Sequence, residues 1–130
     1  MKIFDCFMYF DEDLLLDLRL NYLDKFVDKF IIIECNYNHK GEARKPHFNK
    51  EKYIKFENKI EYILLKEQPE GIKGINVTDA ENEISDKYIL NAVKRENFQR
   101  NHIKKCLSEA SENDWIIISD LDEIPNLKNV

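Results

Sequence analysis

Short unbroken apolar runs alternate with longer stretches of helical spacing along this chain. Residues 2–10, KIFDCFMYF, are dense in Phe, Tyr and Ile and predict a first strand. Asp11 then offers an N-cap. Leu15, Leu18 and Tyr22 recur at helical spacing, as do Leu16, Leu20 and Leu23, which predicts a helix over 12–25 with a wide apolar face. KFIIIEC follows as a continuous apolar run, the pattern of a strand covered on both faces. NYNHKGEARKP, with Gly41 and Pro46, is a loop. A short helix is expected over 49–57 and a third strand at IEYILL, 60–65. Residues 66–86 are weakly patterned, with Pro69, Gly71, Gly74 and many acids, and predict a long loop or insertion. Residues 88–111 lack Gly and Pro and predict a helix with Ile103, Leu107 and Ala110 facing inward. DWIIISD is the fourth strand, expected to be central and buried.

Strand and helix therefore alternate, which predicts an α/β layer with a mostly parallel sheet and right-handed crossovers. All 130 residues are read as one domain. The chain stops soon after its fourth strand, so the expectation is a sheet incomplete at its C-terminus.

That fourth run carries the chemistry. WIIISDLDEIP drives an apolar segment straight into Asp120, Asp122 and Glu123. In open α/β sheets ligands bind beyond the carboxyl ends of the strands. On a regular strand Asp120 and Asp122 share a face while Leu121 points into the core. Two or three hard oxygen donors beside a water-filled cleft suit Mg²⁺ or Mn²⁺, which leave positions open for substrate phosphates. The plainer alternative is that the acids only end a strand and begin a turn.

Composition narrows the field. A formal charge of −5 argues against a nucleic-acid binder. No segment approaches the length of a membrane span, and the first apolar run is broken by Asp5 with no cleavage site after it. Cys6, Cys35 and Cys106 are odd in number and form no CxxC pair, which predicts buried, inert thiols and a reducing, cytoplasmic setting. Asn76-Val77-Thr78 matches the N-glycosylation pattern, and without a secretory signal it carries no expectation.

Five segments in order, KIFDCFMYFDEDLLLDLRLNYL, VDKFIIIEC, HKGEARKPHF, RENFQRN and IIISDLDEIP, resemble the N-terminal half of glycosyltransferase family 17, the β-1,4-mannosyl-glycoprotein N-acetylglucosaminyltransferase-like family. The resemblance covers nearly the whole chain apart from 66–86. It implies a GT-A-type nucleotide-sugar transferase fold, in which Asp120-x-Asp122 is the DxD metal motif. Asp122 would ligate the ion that bridges the diphosphate, and Asp120 would contact the ribose or share the metal. Glu123 would support the site or face the donor sugar, and is the one candidate for a catalytic role. Mn²⁺ or Mg²⁺ is the implied cofactor, a UDP-sugar (N-acetylglucosamine among the candidates) the implied donor, and a glycan the implied acceptor.

The same resemblance suggests donor contacts elsewhere. Glu34, at the end of the second strand, is either a solvated strand end or a nucleoside ligand. Tyr9 or Phe10 would pack against a base or against the core. Glu96 and Arg100 lie near an inward stripe with Val93, which leaves either a structural ion pair or a cleft wall where Arg95, Gln99 or Arg100 meets the nucleotide-sugar. His39, Lys40 and Lys45 lie in the loop after the second strand. Two other functions stay open. One is a haloacid-dehalogenase-like phosphatase with Asp120 as nucleophile, although that motif normally opens its domain and Ile124 stands where Thr or Val is expected. The other is a non-catalytic nucleotide-sugar-binding piece whose exposed edge is covered by a homodimer or a missing C-terminal half.

Overall fold

The computed structural model of the chain describes residues 1–129. Four strands form one all-parallel sheet: β1 (Ile3–Met8), β2 (Lys29–Cys35), β3 (Ile60–Leu65) and β4 (Trp115–Ile118), in the order β3-β2-β1-β4. Helix α1 (Asp13–Leu23) links β1 to β2, a 3₁₀ segment (Lys50–Phe56) lies between β2 and β3, and α2 (Glu81–His102) leads back to β4. The fold is the α/β class that the alternation of elements predicts.

Alternation along β1 divides the core in two. Phe7 joins Leu16, Leu20 and Leu23 of α1, with Phe30, Ile32, Tyr53 and Phe56, on one face. Phe4 and Cys6 pack with Ile31, Ile33, Leu65, Ile103 and Cys106 on the other. The three cysteines are free and buried. Burial pushes the Cys6 thiol up to about 12, and raises Cys35 and Cys106 in the same direction.

Several boundaries differ from expectation. Helix α1 begins after Glu12, and Asp11 makes no side-chain cap; its carbonyl instead accepts from the Asp13 N–H. Helix α2 starts at Glu81, inside the stretch read as loop, because no Gly or Pro lies between Gly74 and the end of the helix and Glu81 and Glu83 favour a helix N-terminus. It ends at His102, and a 3₁₀ turn (Ile103–Cys106) carries on the inward stripe. Val93 is 47% exposed, so the stripe does not extend inward that far. The remaining loop, 66–80, is clamped to α2. Asn91 accepts from the Lys73 N–H and donates to the Lys73 carbonyl, both at 2.8 Å, and Lys87 bridges Asp79 and the Gly74 carbonyl.

The largest correction concerns β4. It pairs only with β1 among the described strands, and Trp115, Ile116 and Ile118 are 47%, 37% and 49% exposed. An apolar run specifies a strand but not its rank in the sheet. Here β2 and β3 add on one side of β1, and α2 returns the chain to the other side. Among the described residues no helix is long and apolar enough to cross a membrane.

Candidate functional site

The strand order reverses between β1 and β4. Such a switch point opens a crevice at the carboxyl ends of the strands, because the connections on either side of it diverge. A cavity of about 390 Å³ lies there. Met8, Tyr9 and Phe10 enter from the end of β1, and Cys35, Tyr37, Asn38 and His39 from the end of β2. Glu96 and Gln99 come from α2, Leu15 from α1 and Glu12 from just before it, and Asp120, Leu121 and Asp122 from the turn after β4.

That turn is a compact reversal rather than an extension of the strand. The Glu123 N–H donates to the Asp120 carbonyl at 2.9 Å. Leu121 is buried in the α1-side core, as expected, while Asp120, Asp122 and Glu123 are exposed. One oxygen from each of the three carboxylates lies within 4.8 Å of the others. Arg100 reaches Asp120 at 3.4 Å and is shared with Glu96 at 3.0 Å, so it offsets only part of this charge. Three closely grouped hard oxygens with one shared cation beside them form a donor set that suits a divalent ion.

Beneath the turn lies a feature that sequence reasoning missed. Arg19 of α1 is wholly buried, as is Asp5 of β1. Arg19 Nε and Nη2 donate to the two Asp5 oxygens at 2.9 and 2.7 Å. The same guanidinium donates to the carbonyls of Asp120, Leu121 and Glu123 at 2.8, 3.2 and 3.2 Å, and to Ser119 Oγ at 2.7 Å. It also lies 4.7 Å from the centre of the Phe7 ring. The signal was present in the sequence: Asp5 interrupts an apolar strand, and Arg19 shares a helix face with Leu16, Leu20 and Leu23. Two opposite charges alone on facing apolar surfaces must pair, because an unpaired buried charge is too costly.

The other candidates divide into two groups. Tyr9, Gln99 and Asp120 line the cavity, and so do His39 and Phe10. Tyr9 is buried and donates to Asp13 at 2.5 Å. Phe10 stacks on the Arg44 guanidinium, with 4.1 Å between the guanidinium carbon and the ring centre. Arg100 sits at the rim against Asp120. Glu34 and Arg95, in contrast, do not line the cavity. Glu34 is 1% exposed and accepts from Arg44, Tyr62 Oη and the N–H groups of His47 and Phe48, at 2.6 to 3.2 Å. Its carboxylate thus orders the loop after β2. Arg95 donates to Gln68 Oε1 and the His39 carbonyl, joining that loop to 66–80. Lys40 lies 5.5 Å above the Tyr88 ring and Lys45 is exposed.

A family model described as glycosyltransferase family 17 matches residues 1–130, the whole chain. The chain belongs to glycosyltransferase family 17. The resemblance carried by the five sequence segments therefore holds, and the chain is a glycosyltransferase rather than a phosphatase. No curated protein and no solved structure matches it. Membership in family 17 implies two partners, an activated sugar donor and an acceptor. The crevice at the β1/β4 switch point is where this family 17 chain groups cavity, carboxylates and aromatic side chains.

Proposed function

We propose that this chain binds the nucleoside diphosphate of a sugar donor in the β1/β4 crevice, as the donor-binding part of a GT-A-type glycosyltransferase. The observation that carries this reading is the acidic turn, whose three carboxylates meet within 4.8 Å at the edge of the 390 Å³ cavity. A diphosphate would be repelled by these acids alone, so the reading includes a divalent cation.

Asp120 and Asp122 would hold Mn²⁺ or Mg²⁺, with Glu123 as a third oxygen donor. Such an ion, when bound, neutralises diphosphate charge and so stabilises the departing nucleotide. The remaining residues supply binding and orientation. Tyr9 and the Arg44-backed ring of Phe10 offer flat surfaces to a base. Gln99 and Asn38 offer hydrogen-bonding groups along the cavity, and Arg100 offers a guanidinium fork at its rim. A UDP-sugar, N-acetylglucosamine among the candidate sugars, is the proposed donor, a glycan the proposed acceptor, and the cytoplasm the proposed setting.

A donor screen by thermal shift tests this reading. Ligand at a hundred times its Kd stabilises a native state by about 2.7 kcal/mol. A melting-temperature rise of several degrees is expected for a uridine diphosphate donor with Mn²⁺, and a smaller one without it. No shift with any nucleotide in either metal would contradict the proposal.

A further inference from the structure

We infer that Arg19, oriented by Asp5, is a positioning residue for the acidic turn, and that Ser119 is its partner in that role. The inference rests on reading the turn as a metal site, and concerns how the fold presents that site.

The turn has few ties of its own. Strand β4 ends at Ile118, the Ser119 N–H reaches the Cys6 carbonyl only at 3.4 Å, and one main-chain bond, Glu123 N–H to Asp120 carbonyl, closes the reversal. Meanwhile the carboxylates of Asp120, Asp122 and Glu123 crowd together and repel one another. Something must hold the backbone against that repulsion. Arg19 does so from the core side, drawing the carbonyls of Asp120, Leu121 and Glu123 to one guanidinium edge. With those carbonyls turned inward and Leu121 buried, the acidic side chains are left on the outer side.

The chemistry requires arginine. Its planar fork presents donors in fixed directions. Asp5 occupies one edge through both oxygens, which fixes the plane and leaves the other edge for the turn. Asp5 also cancels the charge, so Arg19 can lie under a cation site without repelling the cation. Ser119 adds a brace: its Oγ accepts from Arg19 at 2.7 Å and donates to the Glu123 carbonyl at 3.2 Å. A buried ion pair present only for stability would not need to gather carbonyls from the acidic turn itself.

The test uses Arg19→Lys, which keeps the charge facing Asp5 but loses the fork, and Ser119→Ala, which removes the brace and leaves the ion pair. Mn²⁺ binding to the 130-residue chain is read by electron paramagnetic resonance, and the Glu123 amide by hydrogen exchange. Losing an orienting partner typically weakens metal binding by roughly 10- to 100-fold. That range is expected for Arg19→Lys, with a smaller loss for Ser119→Ala and faster exchange at Glu123 in both. Leu23→Ala, a buried change elsewhere on α1, should lower the melting temperature and leave Mn²⁺ affinity unchanged. If Arg19→Lys does not fold, Ser119→Ala carries the test. Wild-type Mn²⁺ affinity together with wild-type Glu123 exchange in the folded variants would overturn the inference. If the wild-type chain does not bind Mn²⁺, the metal reading fails, and Glu123 exchange alone decides whether Arg19 positions the turn.

Discussion

The guanidinium of Arg19 grips both oxygens of Asp5 where neither side chain has any contact with solvent. Charges so deep are tolerated only when every hydrogen-bonding group finds a partner, and here the partners come from the turn that carries Asp120, Asp122 and Glu123. The pair thus ties β1 and α1, consecutive elements of the chain, to the end of β4, where Asp120 lies 101 residues from Arg19.

Removing one member leaves the other charged, buried and unpaired. Arg19→Ala or Asp5→Ala should each lower stability by about 3–5 kcal/mol, a large part of what a domain of this size possesses. Urea denaturation measures it. The double replacement Asp5→Leu with Arg19→Met should recover only part of the loss, because it removes both charges at once but leaves the turn carbonyls without their donor.

Glu34 takes donors from Arg44, Tyr62, His47 and Phe48 and does not face the cavity. Glu34→Ala leaves buried donors without an acceptor and should cost at least about 2 kcal/mol. The affinity of the folded fraction for uridine diphosphate should stay within about twofold of wild type by calorimetry, since twofold is only about 0.4 kcal/mol. A large fall in that affinity without loss of stability would restore Glu34 as a nucleoside ligand.

Gly41 has φ of +83°, and a Cβ placed there would lie 2.3 Å from Nη2 of Arg95. Gly41→Ala therefore meets backbone strain and a collision with the side chain that joins two loops. A loss of about 1–3 kcal/mol is expected in chemical denaturation. Arg95→Ala added to it should give less than the sum of the two single losses, because the two changes act on one contact.

Burial alone would raise the pKa of Asp13, but hydrogen bonds from Tyr9, His47 and Tyr53 overcome it and hold the carboxyl below its ordinary value. A carboxyl depressed in the folded state contributes stability above its unfolded pKa and loses it as pH falls through the folded one. The contribution of Asp13 should be present above about pH 4 and fade as the pH falls below that. Asp13→Asn should flatten this part of the acid limb in denaturation curves recorded from pH 5 to pH 2. An unchanged acid limb would contradict the assignment.

Much of this architecture was legible from periodicity. The four strands, α1 and the parallel α/β order follow from short apolar runs and helical spacing, which encode local burial directly. Rank in the sheet was not legible: the apolar run of β4 is the same whether one side of it is paired or two. The helical start at Glu81 was hidden because 66–86 has no periodic apolar pattern, and the residues that α2 buries are the polar Asn91 and Arg95, which reach the neighbouring loops. That Asp120, Asp122 and Tyr9 would line a crevice was legible because they follow the carboxyl ends of parallel strands, and Gln99 joins them from α2. Arg95 and Glu34 bond to their own loops and do not line the cavity, and residue type alone does not tell whether a charged group turns toward a cleft or toward its own loops. The Asp5–Arg19 pair needed two patterns to be read together, an acid inside a strand and a base inside an apolar helix face.

The central claim is a metal-dependent nucleotide site at Asp120 and Asp122. Calorimetric titration of uridine diphosphate into the wild-type chain and into Asp122→Ala, each with and without Mn²⁺, tests it most directly. The account predicts heat for the wild type that depends on Mn²⁺ and is lost or greatly weakened in Asp122→Ala, with both proteins folded. The same Mn²⁺-dependent signal from both proteins would contradict it.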